Sequence, residues 1–230
     1  MIFKIHQRKY FMPALLALAF IVSLATSRTT LAAPPAPAHK VISIAEARGL
    51  PLGTVVTIDG SVTVPSGAFS SSTFDQGFAI QDRTAGIYVS TSDNLGFAPR
   101  QQVRVTGTLA DTVLPGLLVL VDVTEATAHG RGPKVRVQPV TTGGVGEGTE
   151  GSLVRITGTI TQPIVNDLPF GFIIVVNDGS GDVNVFVCAS TGIDVSGLSQ
   201  GQTIEVTGIS GQFADHFEVD PRFQTDITVL

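Results

Sequence analysis

Along residues 54–63 apolar and polar positions alternate, with Val56, Ile58 and Val62 on one face and Thr57, Asp59 and Ser61 on the other. A period of two is that of a half-buried strand, whose side chains point by turns into and out of a sheet. The stretch Gly53-Thr-Val-Val-Thr-Ile-Asp-Gly60-Ser-Val-Thr63 returns as Gly151-Ser-Leu-Val-Arg-Ile-Thr-Gly158-Thr-Ile-Thr161 with the same alternation. A second pair, Gln102-Val-Arg-Val-Thr-Gly107 and Thr203-Ile-Glu-Val-Thr-Gly208, recurs at nearly the same offset. Two matches at nearly one offset, with the loops absorbing the difference, read as a single module used twice. Gly60 and Gly158 interrupt the apolar face at one register. A glycine inside a strand weakens it unless the backbone must bend sharply there, as at the corner of a small barrel.

Taken in order, Ser43 and Glu46 stand at capping-box spacing and predict a single helical turn feeding the first strand. Strands follow at 54–64, 77–82, 86–91, 102–110 and 117–124, the second and third joined by the hairpin connection 83–85. The second copy repeats them at 152–162, 171–177, 182–189 and 202–210, with a final strand near the C-terminus. Between the copies the composition shifts to Gly, Pro and Thr, although Lys134-Val-Arg-Val137 has the pattern of a short strand. The predicted domains are therefore 41–126 and 134–230, with 127–133 as linker.

The N-terminus is of a different kind. Lys4, Arg8 and Lys9 precede an apolar run over residues 11–25, and Thr30-Leu-Ala32 is a small-x-small cleavage signal. That is the pattern of a secretory signal peptide over 1–32, followed by an Ala/Pro-rich spacer at 33–40. The apolar run is about 15 residues, where a spanning helix needs about 20, so no membrane span is expected in the mature chain and its location is secreted or periplasmic. The one cysteine, Cys188, excludes an intrachain disulfide and a lipid anchor at the signal peptide. Removing the four basic residues of the signal leaves ten against 19 acidic ones, a net of about −9, which repels polyanions at long range.

Five strands per copy, a hairpin between the second and third, a longer connection before the fourth, and bend glycines in the first and fourth fit an all-β chain. It is read as two tandem OB-fold-like, five-stranded Greek-key barrels. An immunoglobulin-like sandwich would need about seven strands per domain. Ile44-Ala-Glu-Ala-Arg48, Gly53-Thr-Val-Val, Gly77-Phe-Ala-Ile-Gln-Asp82 and Val103-Arg-Val-Thr-Gly107 resemble the OB-fold domains of secreted bacterial proteins, some of them attached to extracellular nucleases. The likeness covers both halves, better in the first. These motifs are structural and carry the fold; they imply no chemistry of their own.

Catalysis is not expected. There is no Gly-x-Ser-x-Gly elbow, and His39, His129 and His216 stand in separate, loop-like settings. Asn177-Asp-Gly-Ser-Gly-Asp182 has a superficial look of a calcium loop but lacks the terminal Glu and falls where a hairpin must turn. Asp215, His216, Glu218 and Asp220 follow no zinc spacing, so neither a metal nor a cofactor is expected. What remains is the face on which OB-folds commonly bind, made by the second and third strands and the adjoining loops. Alternation turns Phe78, Ile80, Ile87 and Val89 inward and Gln81 and Tyr88 outward, and Phe186 takes the place of Tyr88 in the second copy. An outward aromatic at one register in both copies is either a stacking platform for a base or sugar or packing between the two barrels. Phe69 and Phe74 in the neighbouring loop, with Arg83 and Arg104, complete the candidate ligand-binding set. From 131 onward there are 11 acidic residues against five basic ones, which favours the first copy. The function expected is non-catalytic binding of single-stranded or flexible nucleic acid. The alternative is an envelope or extracellular module that binds a protein or a glycan.

Overall fold

The computed structural model describes residues 40–112 and 116–230. The predicted signal peptide and nearly all of the spacer lie outside the described residues. A short strand β1 (Val41–Ile42) leads into helix α1 (Ile44–Arg48), whose N-cap Ser43 accepts from Glu46 N at 3.2 Å. The first barrel is built from β2 (Val55–Val64), β3 (Phe78–Gln81), β4 (Gly86–Val89), β5 (Gln101–Asp111) and β6 (Leu118–Arg131). A one-turn helix, α2 (Ser70–Thr73), sits in the β2–β3 loop. The second copy comprises β7 (Gln138–Pro139), β8 (Leu153–Ile160), β9 (Val165–Asp167), β10 (Gly171–Asn177), β11 (Asp182–Cys188), β12 (Thr203–Phe213), β13 (His216–Asp220) and β14 (Ile227–Val229).

The first barrel runs β2-β3-β4-β6-β5 and closes through β5 on β2; the second runs β8-β10-β11-β13-β12 and closes through β12 on β8. Among the barrel strands all pairings are antiparallel except β4–β6 and β11–β13, while the short β1 and β7 add in parallel to β2 and β8. This is the OB-fold order, twice, and the protein is all-β with two closed five-stranded barrels. Closure removes most free sheet edges, which a small open sheet would leave unpaired. The inward faces supply separate cores: Ile58, Phe78, Ile80, Ile87 and Val105 in the first, capped by Ile44 and Ala47 of α1, and Ile156, Ile174, Val185, Ile204 and Val206 in the second.

The predicted bend glycines lie in strands at matching places, Gly60 opposite Val103 and Gly158 opposite Ile204, Gly107 opposite Val56 and Gly208 opposite Val154. Each lies against the neighbouring strand. A Cβ on Gly60 would stand 3.1 Å from Ile80 Cβ, and one on Gly208 2.6 Å from the Asp220 carbonyl.

Several boundaries differ from the sequence reading. Strand β6 continues to Arg131, through most of the stretch read as linker, because β5 is long enough to partner it as far as Gln101. The parallel partner of β8 is Gln138–Pro139 rather than 134–137. The closing strand of the second barrel is His216–Asp220, and β14 is an additional strand on the edge of β12.

The two barrels share a third apolar cluster. Val64, Phe69, Ala79, Tyr88 and Val119 from outside the first barrel meet Cys188 and Ile209 of the second, with Phe186 half-buried beside them. Polar bonds cross the same seam: Arg48 Nη2 to Glu150 Oε1 at 2.8 Å, Leu153 N to Gln81 Oε1 at 2.9 Å, Arg222 Nη1 to Thr63 O at 2.8 Å and Ser190 Oγ to Ala68 O at 2.7 Å. At Gly86 and Gly151 the two backbones touch, and a Cβ on either would strike the other's carbonyl.

Candidate functional site

The outward face of β3 and β4 is where the sequence left a choice between a stacking platform and packing between the two barrels, and the second barrel covers it. Tyr88 points away from its own core as alternation requires, but it is only 4% exposed because the second barrel lies over it. Its hydroxyl donates to Asp75 Oδ1 at 2.7 Å, and its ring lies over Gly77, where a Cβ would meet the phenol oxygen. Burial, and then the charge of Asp75, push the phenol well above its ordinary range. Phe186 lies over Gly171 in the same way. The pair thus packs at the seam, and neither Tyr88 nor the buried Phe69 presents a ring face to solvent.

The remaining candidates divide between two ends of the hairpin. Phe74, at 79% exposure, stands at the β2–β3 loop and meets Phe170 of the second barrel edge-on, with ring centroids 5.8 Å apart. Arg83 is at the other end, on the tip of the β3–β4 turn. Arg104 lies on the outer face of β5, where its guanidinium and His129 Nε2 both meet Asp59 Oδ2, at 3.1 and 2.8 Å.

Around Arg83 the chain builds a groove. The turn is held by Asp82, whose Oδ1 accepts from Thr84 N and Oγ1 at 2.6 Å and from Ala85 N at 2.9 Å, while Oδ2 accepts from Ile44 N at the start of α1 at 3.0 Å. Burial works to raise the Asp82 carboxyl, but the donors from Thr84, Ile44 and Ala85 outweigh it and hold the group below its usual range. Asp82 is therefore a charged fastener of the turn, and Arg83 projects from a rigid support.

The facing wall is the extended segment 132–139 that connects the barrels. It is held to the first barrel through Ser61 Oγ, which lies 3.0 Å from Gln102 Oε1 and 3.3 Å from Pro133 O, with Gln102 Nε2 in turn donating to Asp59. Pairing of β7 with β8 holds its far end. Between the walls lies a groove of about 1140 Å³ with Ser61, Gln81, Gln102 and Ser152 along it and Arg83, Lys134 and Arg136 on its sides. Among the described residues none of these three cations has a carboxylate within 4.0 Å. Arg48, Arg104, Arg155 and Arg222 are paired, while Lys40, Arg100 and Arg131, none of which lines the groove, share the lack of a carboxylate among the described residues.

Gln81 and Arg83 were expected at a ligand site and line this groove. Lys134 and Arg136 were missed: their two-residue spacing, which puts both on one side of an extended segment, was the available signal. Among the described residues no group of three His, Cys, Asp or Glu side chains is placed to hold a metal ion. The 177–182 stretch is the β10–β11 turn, with Asp178 bonded to Thr142 and Ser180. No helix among the described residues is long and apolar enough to cross a membrane.

No family model matches the chain, and no curated protein sequence matches it. Solved structures with some likeness include a murine DNA-binding protein bound to double-stranded DNA, at 10% identity and a TM-score of 0.38 over 71% of this chain and 90% of that one. The p204 HINb domain is 13% identical, with a TM-score of 0.36 over 77% of this chain and 96% of its own. A Replication Protein A heterotrimer bound to single-stranded DNA is 8% identical, with a TM-score of 0.30 over 84% and 69%. The barrel assignment rests on the strand pairings and not on these likenesses.

Proposed function

We propose that this protein is a non-catalytic binding module that takes a single-stranded nucleic acid, phosphates inward, in the groove between the β3–β4 turn and residues 132–139. The observation that carries the reading is the gathering of Arg83, Lys134 and Arg136, all without acidic partners, in one groove of an otherwise acidic chain. Phosphate oxygens meet Arg and Lys through charge-assisted hydrogen bonds, and Gln81 and Gln102 add polar groups beside them. A flexible strand can bend its phosphates to three cations at irregular spacing, which a rigid duplex cannot. The N-terminal signal pattern supports an exported protein.

Because the aromatic face is covered, affinity in this reading comes from counterion release and not from stacking. Three neutralised phosphates on a single strand predict a slope of log K against log salt of about −2. Fluorescence anisotropy with a labelled oligothymidylate between low and moderate salt measures it. Arg83→Ala, Lys134→Ala and Arg136→Ala should each weaken binding and flatten the slope by about 0.7. Absence of binding at low salt, or binding untouched by the triple variant, overturns the proposal.

A further inference from the structure

The barrels are joined by one crossing of the chain, residues 132–139, and Cys188, the only cysteine, is a free thiol. The seam between them is therefore closed by noncovalent contacts alone. Its apolar cluster holds seven buried side chains, against 14 in the second core and 13 in the first, so the seam is the part of the molecule that yields before either barrel does.

Strand β13 turns two carboxylates onto the seam side of the second barrel. Val219 faces the second core, so Glu218 and Asp220 lie on the opposite face, which also carries Ile209, the partner of Asp220 on β12 and a member of the seam cluster. They stand side by side over Gly211, where a Cβ would lie 2.8 Å from Asp220 Oδ2 and 3.6 Å from Glu218 Cγ. Asp220 Oδ1 is buried with no hydrogen-bond partner among the described residues.

No cation answers them. Among the described residues neither carboxylate has a Lys, Arg or His nitrogen within 4.0 Å. On β13 itself His216 lies 3.4 Å from Asp215 Oδ1, and just beyond it Arg222 is committed to Asp226 and to Thr63 O. The neighbours on β12 are Ile209 and Gly211, and β11 offers Asn184, opposite Glu218, and the Cys188 thiol. From the first barrel come apolar Val119 and Val121 of β6. The acids on that side are engaged elsewhere, Asp111 by Gly116 N and Asp75 by Tyr88, while Glu150 of the second barrel is paired with Arg48.

We propose that Glu218 and Asp220 form a pH-operated latch on the seam: while they hold protons the barrels stay docked, and when both ionise the barrels part without unfolding. Two like charges side by side repel, and an ionised oxygen out of water needs a partner or hydration. Parting the seam supplies the water. Burial raises the Glu218 carboxyl to about 7, and burial with the charges of Glu218 and Cys188 raises Asp220 well above its ordinary value. In the open form both return towards ordinary carboxyls near pH 4. The docked form therefore binds more protons, so docking is favoured at low pH and weakens as pH rises through about 7. Opening bares the outward face of β3 and β4, with Tyr88 and Phe69, the face on which OB-folds commonly bind.

The full chain carries its own probe, since Cys188 is its only thiol and has no exposed surface. The rate of its alkylation by N-ethylmaleimide in urea, divided by the rate in buffer at the same pH, is a protection factor that reports opening. This factor should fall about tenfold per pH unit above pH 7, one proton being released per opening. The slowest-exchanging amides of β2 and β8, corrected for their intrinsic rates, should keep their protection over the same range. Glu218→Gln and Asp220→Asn should each flatten the fall. A wild-type factor that stays constant between pH 6 and 8.5 overturns the proposal, and so does a fall of equal steepness in both variants, which would assign the pH dependence to another group. Loss of core amide protection in step with Cys188 overturns it too, since the whole molecule would then be unfolding.

Discussion

The Asp75 carboxylate at the mouth of the β2–β3 loop accepts from Tyr88 Oη at 2.7 Å, Gly77 N at 3.0 Å, Thr73 Oγ1 at 2.7 Å and Ser90 Oγ at 2.6 Å. Tyr88 thus fastens its own loop to the hairpin while its ring fills the seam. Removing only the hydroxyl, in Tyr88→Phe, deletes a hydrogen bond to a charged group and should cost about 1.5–3 kcal/mol. Tyr88→Ala also empties the space between the barrels and should cost about 3–5 kcal/mol, as buried aromatic truncations do. Urea denaturation measures both. Oligonucleotide affinity of Tyr88→Phe should stay at the wild-type level; its collapse in a protein of normal stability would return the binding site to this face. Period-two alternation was sufficient to read Tyr88 as outward, but whether an outward ring meets water or a second domain is not written in its own strand.

At the scale of elements, the bend glycines rank the barrels. A Cβ on Gly60 would meet Ile80 and the Gln81 backbone at 3.1–3.2 Å, which a small shift relieves. A Cβ on Gly208 would meet the Asp220 backbone at 2.6 Å, where a whole strand must move. Overpacking of this kind costs about 1–3 kcal/mol, and Gly208→Ala should fall at the upper end of that range with Gly60→Ala near the lower. Paired thermal melts decide the order; equal losses would mean that β12 and β13 separate more freely than their pairing indicates. The repeated glycines were legible because β2 and β5, with their counterparts β8 and β12, keep both pattern and spacing. Strand β13 was not foreseen at its true place, because Phe217 and Val219 alternate with Glu218 and Asp220 over too few residues to stand out beside the charged turn at Asp215.

For the whole molecule, the seam brings titratable groups out of water. Burial raises Glu218 to about 7, and burial together with the charges of Glu218 and Cys188 pushes Asp220 well above its ordinary value. Asp220 Oδ1 is buried without a partner among the described residues. The folded state therefore keeps a proton on Glu218 that the unfolded chain releases near pH 4.3. Its contribution to stability is full below that value and is lost as pH rises through about 7. Denaturation midpoints should accordingly fall between pH 5 and 8, and Glu218→Gln, which stays neutral, should reduce that fall. An unchanged pH profile in the variant would show that the carboxylate is hydrated in the folded state. Glu150 differs in having Arg48 beside it: burial raises its carboxyl and the Arg48 guanidinium opposes the rise.

What the sequence determined by itself was everything that depends on neighbours along the chain: the alternation of β2 and β8, the capped turn at Ser43, the hairpin at 83–85, the bend glycines, and from their recurrence two barrels of one kind. Such features follow from backbone geometry and from which face of a strand is apolar, both of which are local. Only the tertiary structure decided the use of the surfaces, because that depends on residues distant in sequence. The approach of the second barrel turned Tyr88 and Phe69 into packing. The path of the connecting segment brought Lys134 and Arg136 opposite Arg83. Burial and electrostatic proximity act through space, and no pattern within a single strand encodes them.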